Sequence, residues 1–284
     1  MNEQTRRFAC TLCGKCCNRA PEVELSEAAE LADHFVFQLL FRAYDLPDVP
    51  QMDSASERAA FFGRKRLLKA FAAKSWPLRS NRRGGAGTRY LVLSALALDG
   101  GTGACPALVD NRCGIWADRP LTCRSVPAHY SIPDSAVVAR FDAFVATPGF
   151  ACDTSANAPL LISNGTIADR GVSSARREAV QLTALETRWK QAILAQMRPG
   201  QSYSASLPTR EQIDQHAAAH ALTVPMSVAW LIAVGANLLE EEVVANLIGR
   251  QLRCIDRELA TPRWNSVGRE TLIEMRADYS AQSA

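Results

Sequence analysis

A short run of cysteines near the start of the chain constrains the fold more than any other feature. The run reads Cys10-Thr-Leu-Cys13-Gly-Lys-Cys16-Cys17. Spacers of two residues bend a backbone tightly enough to aim successive sulfurs at one centre, as in zinc knuckles and ferredoxin-type iron–sulfur sites. Gly14 can supply a backbone turn that residues with a Cβ resist. The run therefore predicts a cysteine-ligated metal site.

The adjacent pair at the end of this run limits how the metal can be held. Neighbouring side chains of an extended chain point to opposite sides. Both sulfurs on one compact tetrahedral ion would strain the backbone. We therefore expect one of Cys16 and Cys17 to serve a different centre, or to serve as something other than a ligand.

Four further cysteines follow at looser spacing, and their positions are Cys105, Cys113, Cys123 and Cys152. These spacings are weak evidence alone, but neither group by itself supplies a comfortable full set of ligands for the thiols present. We predict that the two groups meet in space and that all eight cysteines are metal ligands. Cys254 is isolated in sequence on an apolar helical face, so we expect it to be a buried non-ligand. His129 is a further candidate ligand, and His216 and His220 share a predicted helix face.

The clustering of the cysteines indicates in which cellular compartment the protein works. No apolar secretory segment follows the polar N-terminus. Clustered cysteines in the reducing cytosol hold metal more often than they form disulfides. The longest apolar run, residues 224–239, is shorter than the roughly 20 residues that a spanning helix needs. We therefore expect a cytoplasmic protein without a membrane span.

Basic residues lie beside the cysteines in the sequence. Arg119 and Arg124 flank Cys123 most closely. A metal or cluster held by four thiolates carries net negative charge, and buried charge needs compensation. We predict that at least one of these two guanidinium groups points toward the cysteine site or toward an anionic ligand beside it. The alternative is that the arginines only hold the loop together.

These residues resemble the YkgJ-type cysteine-cluster family, which is described as zinc- or iron-chelating. The resemblance rests on C-x-x-C-x-x-C-C, on C-P-x-L from Cys105, and on C-x-I-W-x-x-R-P-x-x-C-R-x-x-P from Cys113, with Trp116 where Tyr is more usual. The same cysteine pattern occurs in flagellin lysine N-methylases, which are iron–sulfur proteins that use S-adenosylmethionine. The resemblance implies zinc or an iron–sulfur cluster such as [4Fe–4S]. It also brings in S-adenosylmethionine and a protein substrate as an enzymatic alternative.

The patterns predict an α+β fold that is mainly α. We expect a cysteine-rich metal-binding domain over residues 1–160, with a basic helical insertion at about 45–88, and a helical region over 161–284. Residues 89–98 and 137–146 are predicted strands because they are rich in Val, Leu and Phe. A helix capped by Ser26 is predicted to carry Leu31, Phe35 and Leu39 on one face.

Three functions remain open from the sequence. The leading one is binding of zinc, iron or an iron–sulfur cluster, and the second is methyl transfer to a protein lysine. The third is a structural zinc module whose basic segment binds RNA or an acidic protein. Residues 58–89 contain ten Lys or Arg and no acid, yet net charge is only +3. We therefore favour a docked helix with a solvated basic face, and do not expect a nucleic-acid partner. No catalytic residue is assigned, since no Ser/His/Asp arrangement or carboxylate pair is legible.

Overall fold

The fold is α+β and mainly helical, as predicted. A computed structural model describes residues 4–17, 19–48, 51–78, 86–101, 103–216 and 221–282. Within those ranges, long helices alternate with short strands and irregular segments. No helix there is both long enough and apolar enough to cross a membrane.

The strands are mostly short, and two of them reach eleven residues. In chain order they are β1 (Arg6–Arg7), β2 (Glu22–Val23), β3 (Phe37–Pro47), β4 (Lys74–Pro77), β5 (Gly87–Ala97), β6 (Leu108–Val109), β7 (Arg112–Cys113), β8 (Leu160–Ser163), β9 (Thr166–Ile167) and β10 (Ala221–Pro225). The α-helices are α1 (Leu25–Glu30), α2 (Ala55–Phe71), α3 (Leu121–Arg124), α4 (Val137–Val145), α5 (Arg170–Gln196), α6 (Arg210–Gln215), α7 (Met226–Gly235), α8 (Glu241–Leu259) and α9 (Ser266–Gln282).

The chain packs into two units, each assembled from separate stretches of sequence. The first contains residues 1–37, 96–184 and 247–284, and the second contains residues 38–95 and 185–246. Neither unit ends at residue 160. The boundary predicted there stays a prediction about which segments fold independently.

The first unit has a small core beside its antiparallel strands. β8 pairs with β1 on one side and with β9 on the other. Val137 and Phe141 of α4 are buried in this core. The predicted strand at 137–146 is therefore wrong. Its Val and Phe content favoured a strand, but the buried positions lie four residues apart, which is the spacing of a helix face.

The helix predicted from Ser26 to Leu39 is present only as the short α1, and it begins after Glu24 and not after Ser26. α1 ends at Glu30, and Leu39 lies in β3. The backbone between them is held by Gln251, whose amide nitrogen donates to the carbonyls of Ala32 and Phe35 at 2.7 Å each. A side chain distant in sequence thus satisfies groups that a continuing helix would have paired within itself.

The second unit is built on a sheet in which β10, β3 and β5 are neighbours in that order and β4 also pairs with β5. β5 confirms the predicted strand at 89–98. Of the basic segment, residues up to 71 belong to α2, Lys74 lies in β4 and Arg89 in β5, while residues 79–85 are outside the described ranges. Phe61 and Leu68 of α2 pack with Leu46 and Tyr90. The region predicted to be helical, residues 161–284, contains α5 to α9.

Candidate metal centre

The segment carrying Cys10 lies alongside the segment carrying Cys152. Ala9 and Asp153 form an antiparallel bridge, with N–H···O distances of 2.8 and 3.1 Å. The Thr11 hydroxyl donates to the carbonyl of Ala151 at 2.8 Å. Each cysteine is next in sequence to a bridged residue, so this contact brings the most distant pair of predicted ligands together.

Residues 10–17, which we call the strap, contain sulfurs that accept hydrogen bonds from backbone N–H groups. The Leu12 N–H donates to Cys10 Sγ at 3.4 Å. Backbone N–H groups of Lys15 and Ala151 bond to the Cys13 thiol and lower its pKa. Leu12 has φ of 57°, in the left-handed region that non-glycine residues seldom occupy. N–H···S bonds of this kind stabilise thiolates and are common around metal-bound sulfur.

Gly14 allows the strap to lie against a second loop. Its φ is 72°, and a Cβ at this position would lie 2.7 Å from the carbonyl oxygen of Asn111. That separation is too short for a side chain to be accommodated. The glycine predicted to make a turn therefore also permits close contact between the first cysteine run and the loop before Cys113.

The adjacent cysteines Cys16 and Cys17 are in contact with each other but have different further neighbours. Both lie in a 3-10 turn, Lys15–Cys17. The carbonyl of Cys17 accepts a hydrogen bond from the backbone N–H of Cys105 at 3.0 Å. The Cys17 thiol donates to the Cys16 sulfur, which lowers the pKa of Cys16 and raises that of Cys17. Cys17 is thus tied to the second cysteine group.

A tight hairpin brings Cys113 back to Cys105. β6 pairs with β7, and Leu108 lies opposite Cys113. The turn residues Asp110 and Asn111 both have positive φ, 50° and 62°, the backbone signature of a two-residue type I′ hairpin. The Leu108 N–H donates to the carbonyl of Cys105 at 3.1 Å. The loose spacing in the sequence therefore hides a compact loop.

Cys123 lies on the short helix α3, whose start is fixed by a buried carboxylate. Glu27 Oε1 accepts a hydrogen bond from the backbone N–H of Leu121, the first residue of α3. Burial, and to a smaller extent the charges of Cys105 and Cys113, raise the pKa of the Cys123 thiol to about 12. Cys123 therefore shares its surroundings with the hairpin cysteines.

The eight clustered cysteines thus fall into two sets of four. We call Cys10, Cys13, Cys16 and Cys152 the outer set, because Cys10 is exposed and because burial and then the charges of the first three raise the pKa of Cys152. We call Cys17, Cys105, Cys113 and Cys123 the inner set, because burial and then the charges of Cys105 and Cys113 raise the pKa of Cys123, and the charges of Cys105 and Cys123 act on Cys17. All nine cysteines of the chain are free thiols.

The thiols of each set are neighbours, but they do not converge on a common point. In the described ranges, no three His, Cys, Asp or Glu side chains form a group that could hold a metal ion as they stand. The donor chemistry nevertheless fits, since four thiols lie near one another in each set.

An open cavity is lined by all four thiols of the outer set and also by Cys17 and Cys113 of the inner set. Its empty volume, open solvent included, is about 480 Å³. The other lining residues are mostly apolar, and they are Phe8, Leu12, Trp116, Val126, Phe144 and Phe150, together with Thr11, Gly14 and Asn111. The outer thiols therefore face both solvent and an apolar wall.

The two arginines of the sequence prediction have different surroundings. The Arg119 guanidinium lies over the Trp116 ring, 3.4 Å from its centroid, and Arg119 Nε donates to the Trp116 carbonyl at 2.9 Å. Its charge lowers the pKa of Cys16 and opposes the raised pKa of Cys123. Arg124 instead bonds both carboxylate oxygens of Glu178, at 2.8 and 2.9 Å. Arg119 acts on both sets, and Arg124 ties α3 to α5.

Two other residues beside the cysteines were not singled out from the sequence. Glu27 is one, and burial raises its pKa to about 7. Arg263 is the other: its guanidinium donates to the Pro106 carbonyl at 2.6 Å, and its charge opposes the raised pKa of Cys105. Neither lies in a cysteine motif, so no local pattern could have identified them.

The candidate histidines are not placed among the thiols. His129 is buried, with Nδ1 bonded to Ser131 Oγ at 2.8 Å and Nε2 to Thr122 Oγ1 at 3.0 Å. Burial lowers the pKa of His129 to about 4, which keeps the imidazole neutral. His216 follows α6 in the second unit, and His220 lies outside the described residues. Cys254 is buried on α8, where Arg257 Nη2 contacts its sulfur at 3.0 Å.

The paired sets of thiols have the donor chemistry of a cysteine-rich metal-chelating site. Residues 9–144 match the family model CxxCxxCC, described as "Putative zinc- or iron-chelating domain". The match spans just under half of the 284 residues and includes every clustered cysteine except Cys152. It supports metal binding by the cysteines. No curated protein and no solved structure matches the chain at a significant level.

Proposed function

We propose that the protein binds metal at two four-thiolate centres, one formed by the outer set and one by the inner set. The observation that carries this proposal is that two adjacent, hydrogen-bonded thiols have different further neighbours. The charges of Cys105 and Cys123 act on Cys17, whereas the charge of Cys16 acts on Cys13 and Cys152. One ion shared by both sulfurs would strain the backbone between them, but two centres use each residue where it lies.

The surroundings suit thiolate-bound metal. Four thiolates are the usual ligands of structural zinc and of iron–sulfur clusters, and either occupant leaves net negative charge. Arg119 and Arg263 supply positive charge near the thiols. N–H groups of Leu12 and Lys15 supply hydrogen bonds to sulfur. Metal binding requires deprotonated thiols, and all of these contacts favour the thiolate form.

Methyl transfer is less well supported by the cavity. S-adenosylmethionine carries an amino-acid group, a ribose and an adenine, and these need several polar partners. The cavity beside the outer set is lined mainly by thiols and by apolar side chains such as Phe144 and Phe150. This lining favours a metal site bordered by apolar side chains over a nucleoside-binding site.

The test is purification under anaerobic conditions followed by metal analysis, acid-labile sulfide analysis and a visible spectrum. Zinc without visible absorbance identifies zinc centres, and iron with matching sulfide and a broad visible band identifies clusters. Either result supports the proposal if Cys13→Ala and Cys113→Ala each lose part of the metal. Cys254→Ala is the matched control and should retain all of it. A chain without metal, or one whose cysteines form disulfides, would contradict the proposal.

A further inference from the structure

The basic helix α2 lies in the second unit and takes no part in the thiol sets. Its start is fixed by a capping box: Glu57 N–H donates to Ser54 Oγ at 3.2 Å, and the Ser54 N–H donates to the Glu57 carboxylate at 3.0 Å. Its apolar side is occupied, because Phe61 and Leu68 pack with residues of β3 and β5. The helix is therefore a fixed platform whose opposite face remains open.

Phe62 stands out on that open face. It is 53% exposed, although its neighbour Phe61 is packed against the sheet. On an α-helix, residues three, four and seven positions apart share a face. The residues at those positions around Phe62 are Arg58, Lys65, Arg66 and Lys69. An exposed aromatic ring is thus surrounded by cations on one face of a 17-residue helix.

We propose that this face binds single-stranded nucleic acid. A row of Lys and Arg neutralises backbone phosphates, and an exposed aromatic ring among them offers a surface on which a base can stack. The Phe62 ring contacts the Phe61 ring edge to face, with centroids 5.4 Å apart, and this contact leaves 53% of Phe62 exposed to a base. The low net charge of the whole chain does not conflict with this, because four cations are concentrated on one face.

Two other polyanionic partners fit less well. An amphipathic helix that binds an anionic membrane inserts a broad apolar face, but here that face is packed on the sheet and only Phe62 is left to insert. An acidic peptide would pair with Arg58 and Arg66, yet carboxylates make no use of an aromatic ring between them. The combination of ring and cations therefore favours bases together with phosphates.

The helix contains its own control. Arg64 belongs to α2 but lies over the Tyr44 ring, 5.8 Å from the centroid, and is two residues from Phe62. It does not share the face described above. Arg64→Ala and Arg66→Ala therefore remove the same charge from the same helix at positions that differ in their relation to Phe62.

The experiment uses the full chain and a fluorescently labelled 12-nucleotide single-stranded RNA, with a DNA of the same sequence, followed by fluorescence anisotropy at several salt concentrations. Phe62→Ala and Phe62→Leu should each weaken binding about 5- to 20-fold, the usual effect of losing one stacking contact. Arg66→Ala should weaken binding and make its salt dependence shallower, because one phosphate contact is lost. Arg64→Ala should stay within about twofold of the wild type.

Several results would overturn the proposal. One is no RNA or DNA binding at low salt. Another is Phe62→Leu binding as tightly as the wild type, which would leave only nonspecific charge attraction. Equal or tighter binding of a polyglutamate peptide or of anionic phospholipid vesicles, with the same dependence on Phe62, would assign the face to those partners. Circular dichroism of each variant checks that these surface substitutions leave the fold intact.

Discussion

The outer and inner sets each contain four cysteine thiols, but the surroundings of the two sets differ. In the outer set, Cys10 is exposed and backbone N–H groups lower the pKa of Cys13. In the inner set, burial raises the pKa values of Cys105 and Cys123. Hydrogen bonds lower the pKa values of Cys13 and Cys16, which favours their thiolate forms, whereas Cys105 and Cys123 lose their protons readily only when a metal takes the place of those protons.

This contrast suggests a division of labour between the two centres. The inner set joins the strap, the hairpin and α3, so a metal there would stabilise the fold. The outer set joins the strap to the segment at Cys152. All four of its thiols line the cavity, compared with two thiols of the inner set, so we expect a metal there to be the one that exchanges with solution. The predictions below test this contrast, beginning with the largest effect.

Replacing one cysteine in each set should separate stability from accessibility. Cys123→Ala should lower the free energy of unfolding of the metal-loaded protein by about 4 kcal/mol, because a buried metal site is lost. Cys10→Ala should lower it by about 1 kcal/mol or less, since the residue is exposed. Urea unfolding of both variants measures the difference. Equal losses would remove the distinction between the sets.

The enclosure of the inner set can be checked through His129, which bonds to Thr122 beside Cys123. Burial lowers the pKa of folded His129 to about 4. As pH falls below about 6.5, His129 binds a proton in the unfolded chain but not in the folded chain, so the free energy of unfolding decreases. Between pH 7 and pH 5 this loss should be about 2 kcal/mol.

Comparison with His129→Gln isolates that contribution, because all other titrating groups are shared. The wild type should lose more stability than the variant over this pH range in urea unfolding experiments. If the free energy of unfolding depended on pH in the same way in both proteins, His129 would be hydrated and its surroundings next to α3 would be open to water.

Arg119 should affect metal binding slightly, and Arg124 should affect it less. Arg119→Lys keeps the charge but loses the stacking on Trp116 and the bond to its carbonyl, so we expect metal affinity to fall by about threefold to tenfold. Arg124→Lys disrupts the paired bonds to Glu178 and should lower stability with little change in affinity. Competition with a chelator measures both. Unchanged affinity in Arg119→Lys would make that arginine part of the scaffold.

The sequence predicted the chemistry of the site better than its grouping. The spacing of Cys10, Cys13 and Cys16 indicated a metal, and the adjacency of Cys16 and Cys17 indicated that they differ. The membership of Cys152 in the outer set could not be predicted, because it depends on the bridge between Ala9 and Asp153, residues that are distant in sequence. Composition likewise favoured a strand at 137–146, where burial of Val137 and Phe141 selects a helix.

The same limit applies to the basic segment. Its charge and apolar content were visible, and a docked helix with a solvated basic face was the favoured interpretation. Phe61 and Phe62 are adjacent and chemically identical, so no pattern of the sequence says which one packs. Only the position of the sheet beneath α2 leaves Phe62 exposed. This difference in exposure between Phe61 and Phe62 changes our interpretation from a solvated basic face to a proposed surface for nucleic acid.

The most direct test of the two-centre account is the metal content of paired cysteine variants. Cys16→Ala and Cys17→Ala should each lose about half of the metal found in the wild type. Adding Cys10→Ala should cost nothing more in the Cys16 variant, because both residues belong to the outer set, but should remove the remaining metal from the Cys17 variant. The account is contradicted if Cys10→Ala has the same effect in both backgrounds, since that would place Cys16 and Cys17 at one centre.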